Sequence, residues 1–416
     1  MLQRIRNHTL VQTFCQLKGN PKISICTEPL WFIPYSLFAP YQSLYMSRLG
    51  LSSLEIGTTL SIGFVLQIFF GLLGGIVTDK MGRRKATLIF DTLGWSVPCL
   101  IWAFSQNFWW FLIAAAVNAS FQITNVSWNC LFIEDCPEKH ITNAFMLIQL
   151  CGALSVFFAP LTVYLVRVYD LVSVMRWIYF ISAISMALKF VLLYLLGSET
   201  GIGALRLEET RSLSYRSMLA GYGSVFVTMM RSSKMRLVIC FMALTSVVQI
   251  ATGNFFSLYV TEKIHLSDEI VAVFPVIRTV IMLLFAIGLQ NLFQRLQMHT
   301  SLVTGFLLYI LSHLLLLLAP ERNLPMVLGY TALEASAYAV IIPRKEALMA
   351  MFVDMKERSR IYALYGVITN AITMPFGSIV GWMYDINPVI PFLFNIGVYA
   401  VCILISASSK SLRRRA

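Results

Sequence analysis

Residues 71–85 read GLLGGIVTDKMGRRK: an apolar run stops at Asp79 and Lys80, passes Gly82 and restarts on Arg83, Arg84 and Lys85. Apolar windows flank it, 53–77 before and 86–105 after, each long enough at about 1.5 Å per residue to cross roughly 30 Å of hydrocarbon. So short a connection sends the chain straight back through the membrane, and its cations mark the cytoplasmic side. The stretch reads as a tight inner loop between two membrane-spanning helices.

The rest of the chain has the same character. Its 416 residues are 58% hydrophobic and 12% charged, with a mean hydropathy of +0.74, against roughly 25% charged in soluble domains. Windows of about 20 mostly apolar residues recur at 28–47, 53–77, 86–105, 108–132, 142–166 and 174–196. After an interruption they resume at 237–260, 269–290, 299–319, 325–349, 360–383 and 389–408. The expected fold is all-α and integral to the membrane, with twelve transmembrane helices in two six-helix bundles, 28–196 and 237–408. A linker over 197–236 joins them, and tails at 1–27 and 409–416 flank them.

Among the 32 Lys and Arg residues, Arg48, Arg167, Arg176, Lys263 and Arg322 fall on one side, and Lys189 and Arg278 fall inside windows. The others share the opposite side, which makes both termini cytoplasmic. Membrane orientation thus accounts for the net charge of +12, and nucleic acid is not an expected partner. The eight cysteines show no CxxC spacing and sit mostly in apolar runs, so neither a metal site nor a disulfide framework is expected. In the linker, Tyr215, Leu219, Tyr222, Phe226 and Met229 recur at helical spacing between basic residues, the pattern of an amphipathic helix at the inner membrane surface. Asp135, Glu138, Lys139 and Ala144 recur at identical spacing as Asp354, Glu357, Arg358 and Ala363, which supports two homologous halves. The second copy of 71–85, starting at Gly288, keeps only Gly288 and Arg295 in register.

Gly75, Asp79, Lys80, Gly82, Arg83 and Arg84 match the pattern G-x-x-x-D-[RK]-x-G-[RK]-[RK] that the major facilitator superfamily carries between its second and third helices. The chain resembles that superfamily along its whole length, and EPLWFIPYSLFAPYQSLYM (28–46) and LIFDTLGWS (88–96) look like a bacterial branch of it. The resemblance implies two bundles rocking around a central cavity without ATP, and no GxxxxGK[ST] phosphate loop occurs. It also implies that Asp79 latches the inner side, with Arg83 and the Glu134–Asp135 loop completing a charge network.

Physically, Asp79 would accept from unsatisfied N–H groups at the start of the eleventh helix near Arg360, a contact worth about 0.3–1 kcal/mol when exposed and up to about 2 when partly buried. A plain tight turn with positive-inside residues is the alternative. Asp91, inside the third window, is expected to pair with Arg84 or Lys85. Gly57 and Ser61 on the second helix and Gly377 and Gly381 on the eleventh would allow close approach at the outer ends, as Gly71, Gly75, Ala363 and Gly366 would at the inner ends, with ordinary membrane packing as the alternative.

Ionisable groups deep in a span are costly and point to function. Arg278 and Glu334 each lie about nine residues from an outer end, roughly 13 Å down, and are expected to meet. Arg278 would anchor an anion or Glu334 carry a coupling proton; a permanent ion pair is the alternative. Asn118, Gln122, Asn125 and Asn129 share one face of the fourth helix and either line a wet cavity or bind a neighbouring helix. Trp31, Tyr35, Phe38, Gln42 and Tyr45 form a stripe on the first helix that suits stacking or cations, or packing. Gln149, Gln249, Asn254 and Asn370 are further candidates, whereas His313 and Lys189 sit on helices that the resemblance makes peripheral.

The chain is expected to be a monomeric secondary active transporter in a bacterial inner membrane, moving a small polar or charged organic solute by alternating access. Arg278 favours an anion. No cofactor is expected, and coupling to a proton or sodium gradient is compatible with this reading. The alternatives are a multidrug or amphipathic-cation exporter and a solute sensor without transport. The fourth window lacks an arginine and the fifth departs from the Gly-Pro-x-x-Gly-Gly pattern of drug antiporters, which argues against proton-driven drug export. No nucleophile or HExxH motif within the spans suggests an enzyme.

Overall fold

The computed structural model describes residues 9–137, 140–214, 218–219, 221–288, 297–352 and 358–409. They are helical almost throughout. In chain order the helices are α1 (Thr9–Gln16), α2 (Gly19–Thr27), α3 (Pro29–Phe38), α4 (Gln42–Arg48), α5 (Ser53–Met81), α6 (Arg83–Asp91), α7 (Val97–Phe104), α8 (Phe108–Asn118), α9 (Phe121–Glu134), α10 (Ile141–Ser155), α11 (Ala159–Val168), α12 (Leu171–Leu196), α13 (Gly201–Thr210) and α14 (Gly221–Arg231). They continue as α15 (Ser233–Ile250), α16 (Phe256–Leu258), α17 (Val273–Gly288), α18 (Met298–Leu317), α19 (Leu324–Phe352), α20 (Arg358–Ile386) and α21 (Ile390–Ser408).

Nine helical stretches among the described residues are long and apolar enough to cross a membrane. Large apolar side chains such as Trp177 and Leu404 stay about two-thirds exposed, as a lipid-facing surface requires. Of the other expected spans, the first is split by a 3₁₀ turn at Ala39–Tyr41 that contains Pro40, and the one at 108–132 breaks after Asn118. The chain divides into two compact units: Met1–Ala39, Ile62–Thr162 and Val172–Gly221 form the first, and Pro40–Ser61, Val163–Leu171 and Tyr222–Ala416 the second.

In the first unit, proline shapes the backbone. Pro34 lies inside α3 and cannot donate to the Leu30 carbonyl; the Ser185 hydroxyl donates to it at 2.8 Å. Pro98 likewise cannot reach Gly94, at the π-turn Thr92–Ser96, and Asn118 Nδ2 donates to that carbonyl at 2.6 Å. Residues 1–27, read above as a tail, hold α1 and α2. Leu17 and Ile25 bury against Phe132, Ala144 and Ile148, so residues 9–27 are part of the fold. The amphipathic segment of the linker forms α14, with Met229 buried and Phe226 exposed; Tyr215 lies outside the described residues.

In the second unit, α18 packs on α19 and α21, and α15 on α20, around Val238, Met242, Phe306, Tyr309, Ala337 and Tyr399. The first turns of α5 lie on the last part of α20 through glycine. A Cβ on Gly57, Gly377 or Gly381 would come within 3.0 Å of the opposite backbone. That approach aligns Ser61 Oγ with Ser378 N at 2.8 Å and Ser378 Oγ at 3.1 Å. Asp385 then caps α5, accepting from Ser53 N at 3.0 Å and Leu54 N at 2.9 Å.

Gly377→Leu should force these helices apart and lower stability by about 1–3 kcal/mol or more, read as a drop in unfolding temperature of the detergent-purified protein. Gly366→Ala, whose Cβ meets nothing within 4 Å, should leave it unchanged or slightly raised.

Candidate functional site

The turn at 71–85 is held from several directions. Gly82 takes a φ of +82°, which glycine alone adopts freely, and α6 starts at the next residue. The first N–H groups of a helix lack partners inside it. Here Glu199 accepts from Arg83 N at 2.9 Å and Arg84 N at 3.0 Å. The Arg83 side chain is 4% exposed; Nη1 donates to Asp79 at 2.9 Å and Nε to Glu134 at 3.2 Å. The Thr200 hydroxyl also donates to Glu134 and accepts from Gly203 N, capping α13. Lys80 donates to the Thr210 carbonyl at 3.1 Å, while the Thr210 hydroxyl donates to the Asp79 carbonyl at 3.2 Å. Arg84 turns away, donating to the Tyr194 carbonyl at 2.6 Å with its guanidinium 4.2 Å over the Tyr194 ring. Asp135 accepts from Asn20 Nδ2 at 2.6 Å. Burial pushes the Asp135 carboxyl above its ordinary range; the Asn20 bond opposes this and Glu134 adds to it. Gly75 lies one turn before Asp79 on α5. The Arg360 side chain lies outside the described residues.

Asp91 does not pair with Arg84 or Lys85. It ends α6, seven residues or about 10 Å of rise beyond Arg84, too far for either basic side chain to meet it from the first turn. It is 5% exposed and feels the charges of Lys189 and Glu28, which form an ion pair at 2.8 Å. Nearby, Trp31 and Tyr35 stack at 4.8 Å, with Trp95 edge-on to Trp31 at 4.9 Å and Phe121 5.5 Å from Trp95. Phe38 and Tyr45 are buried; the 3₁₀ turn at Ala39–Tyr41 breaks the register of the first-helix stripe between them. Gln42 starts α4, half-buried in the second unit.

The amide face also divides. Asn118 serves the backbone of the π-turn, whereas the other three form a chain that begins on α5. Gln122 donates to Gln67 at 3.2 Å, Asn125 to Gln122 at 3.1 Å and Asn129 to the Asn125 carbonyl at 2.5 Å. Asn125 and Gln149 are exposed.

In the second unit Arg278 of α17 meets Glu334 of α19 at 3.2 Å, and Glu334 is 3% exposed. The guanidinium lies 4.4 Å over the Tyr338 ring, with Tyr309 and Tyr330 also within electrostatic reach. Behind them His313 is fully buried, its Nδ1 2.9 Å from the Tyr309 carbonyl and its Nε2 3.3 Å from Asn395 Nδ2. Those partners suit a neutral ring that donates from Nδ1. Gln249 is exposed, Asn370 is half-buried, and Asn254 sits in a π-turn with its amide 3.2 Å from the Ile250 carbonyl.

Residues 30–320 match the profile MFS_1, the Major Facilitator Superfamily. The chain belongs to the Major Facilitator Superfamily. That membership classes it as a transporter rather than an enzyme. Among curated proteins it is 27% identical over 238 residues to "Multidrug resistance protein MdtG" of Rahnella sp. (strain Y9602), covering 55% of this chain and 53% of that protein. It is 25% identical over 226 residues to the protein of the same name from Proteus mirabilis (strain HI4320), covering 53% and 52%. The chain spans about half the length of the curated relatives it matches. Its fold is like that of the nucleoside transporter NupG, with a TM-score of 0.71 at 14% identity over 96% of this chain and 100% of that one.

Several residues of the network escaped the sequence reading. Glu199 and Thr200 stand just past α12, where an acid and a threonine ahead of a helix are a capping signal. Glu28 before Pro29 is another. Gln67 and Trp95 carry no local signal; only packing brings them to Gln122 and Trp31.

Glu199→Ala should leave the Arg83 and Arg84 N–H groups without their carboxylate and cost about 0.5–2 kcal/mol, measured as a lower unfolding temperature. Glu199→Gln should recover part of that loss.

Proposed function

We propose that this superfamily member exports amphipathic organic solutes, cationic ones included, across the bacterial inner membrane. It works as a monomer by alternating access, with twelve helices in two six-helix bundles and both termini cytoplasmic. The observation that carries the reading is the Arg278–Glu334 pair. A guanidinium already matched by a carboxylate at 3.2 Å and covered by Tyr338 is a poor anchor for an anion. The carboxylate, by contrast, can exchange its arginine for a proton or a solute cation. The names of the two curated relatives support export of drugs over movement of a small polar or charged solute, by preference an anion, which was the first expectation. The stacked Trp31–Tyr35 pair and the amide chain from Gln67 to Asn129 suit a solute with an aromatic face and a polar edge.

In this scheme the turn around Asp79, Lys80, Gly82, Arg83 and Arg84, with Glu134 and Asp135, is the inner latch. The Gly57–Gly377 crossing capped by Asp385 is the outer contact, and each cycle has to part it.

Growth of a drug-sensitised host on a panel of cationic and neutral amphipathic compounds tests the substrate class. Wild type should raise tolerance, and Glu334→Gln should reduce ethidium efflux at least about tenfold, the equivalent of 1.4 kcal/mol. Full efflux in both Glu334→Gln and Arg278→Ala would reject the role of the pair.

Ser61→Cys with Ser378→Cys, in a background without the native cysteines, should cross-link on oxidation and stop efflux until reductant is added. Undiminished efflux by the cross-linked protein would reject the outer contact as a moving part.

A further inference from the structure

Inside the first unit Glu28 and Lys189 form an ion pair and Asp91 lies within reach of both charges; each of the three is no more than 5% exposed. Lys189 Nζ lies 2.8 Å from Glu28 Oε1, so that pair is neutral as a unit. Asp91 is the surplus acid. No cation among the described residues lies within ion-pair distance of it, since Lys189 is taken by Glu28 and Arg84 by Tyr194. The Thr124 hydroxyl, 6% exposed, is the polar side chain that bears directly on Asp91 as a hydrogen-bond partner. The other titratable groups beside the cluster are the thiols of Cys26 and Cys151, near Glu28, and the Trp31 ring covers Lys189 at 5.9 Å. A second carboxylate buried without a counter-charge is far costlier than a carboxylic acid, so the cluster requires one more positive charge. A sodium ion would need several oxygens and would sit beside an ammonium, whereas a proton needs one oxygen and no room.

We infer that Glu28, Asp91 and Lys189 form a binding site for a single proton, separate from Arg278 and Glu334, and that this proton is exchanged during the transport cycle. The binding site stands on this geometry; its part in the cycle rests on the export function proposed above.

The cluster is placed to act on both ends of its surroundings. Asp91 terminates α6, a nine-residue helix that begins at Arg83 in the latch network. It immediately precedes the π-turn that carries Trp95, and such π-bulges inside helices are frequent at functional sites. Glu28 starts α3, one turn before Trp31. When Asp91 gives up its proton, Lys189 has two carboxylates to serve instead of one. Movement of its ammonium from Glu28 towards Asp91 would shift the Trp31–Trp95 contact against the solute and pull on α6. The step is a proton transfer alone: the Asp91 O–H bond breaks, the electron pair stays on the carboxylate, and water takes the proton.

Infrared difference spectroscopy on the full chain in liposomes, titrated with acid and base in a Glu334→Gln background, reads the site without a solute. A protonated-carboxyl carbonyl band that titrates is expected, and it should vanish in Asp91→Asn. Lys189→Gln should move its midpoint up by about one pH unit or more. Glu28→Gln should move it down, because Lys189 is then free for Asp91. A band that is absent, that survives Asp91→Asn, or that is abolished by sodium but not potassium chloride overturns the proton site. The Lys189 and Glu28 variants keep the test decisive should Asp91→Asn not fold. Acid-driven ethidium flux in the same liposomes tests the role in the cycle: Asp91→Asn should uncouple ethidium movement from proton movement, and coupled flux in that variant overturns it. Failure of wild type to move ethidium would count against export of that solute, while the infrared result still decides the proton site.

Discussion

A charge inside hydrocarbon must carry its counter-charge with it, and the structure is arranged around that constraint. Three buried or half-buried cations each sit on a carboxylate from another part of the chain or the next helical turn: Arg83 on Asp79 and Glu134, Lys189 on Glu28, and Arg278 on Glu334. The same rule governs the backbone. Where Pro34 and Pro98 leave carbonyls without their usual donors, Ser185 and Asn118 supply them from neighbouring helices. Helix contacts in this protein thus rest on such polar partners as well as on apolar packing.

The two regions of α5 illustrate how such contacts serve a transporter. At its start, bare glycine surfaces on α5 and α20 allow backbone approach, and Asp385 satisfies the first N–H groups. At its end, Glu199 does the same for α6, and Arg83 binds two acids. Both are helix N-termini capped by a carboxylate from elsewhere in the chain. Contacts of this kind are worth little individually in water and more when partly buried.

Much of this was legible beforehand. Helix positions followed from apolar length, and the Arg278–Glu334 meeting followed from two charges placed at similar depth. The glycines of α5 and α20 were read as a close crossing before the structure placed Gly57 on Gly377. The readings that failed did so for local reasons. Asp91 was paired with its chain neighbours, although α6 carries it about 10 Å away from them. Asn118 was grouped with Gln122 by helical spacing, although the break after α8 and the needs of Pro98 assign it to the backbone. Lys189 was set aside with its helix, and its partner Glu28 was passed over at the edge of a window. Residues 1–27 were read as a tail because α1 and α2 are too short and too polar to register as spans.

The sequence by itself determined the membrane class, the succession of helices and the turn at 71–85, because hydrocarbon thickness and the period of a helix act on consecutive residues. Tertiary structure alone decided which charge neutralises which, that Glu199 caps α6, and that the Glu28–Lys189 pair lies within electrostatic reach of Asp91. Electrostatic pairing depends on distance in space, and in a helical membrane protein residues more than a hundred positions apart become neighbours while residues two turns apart do not.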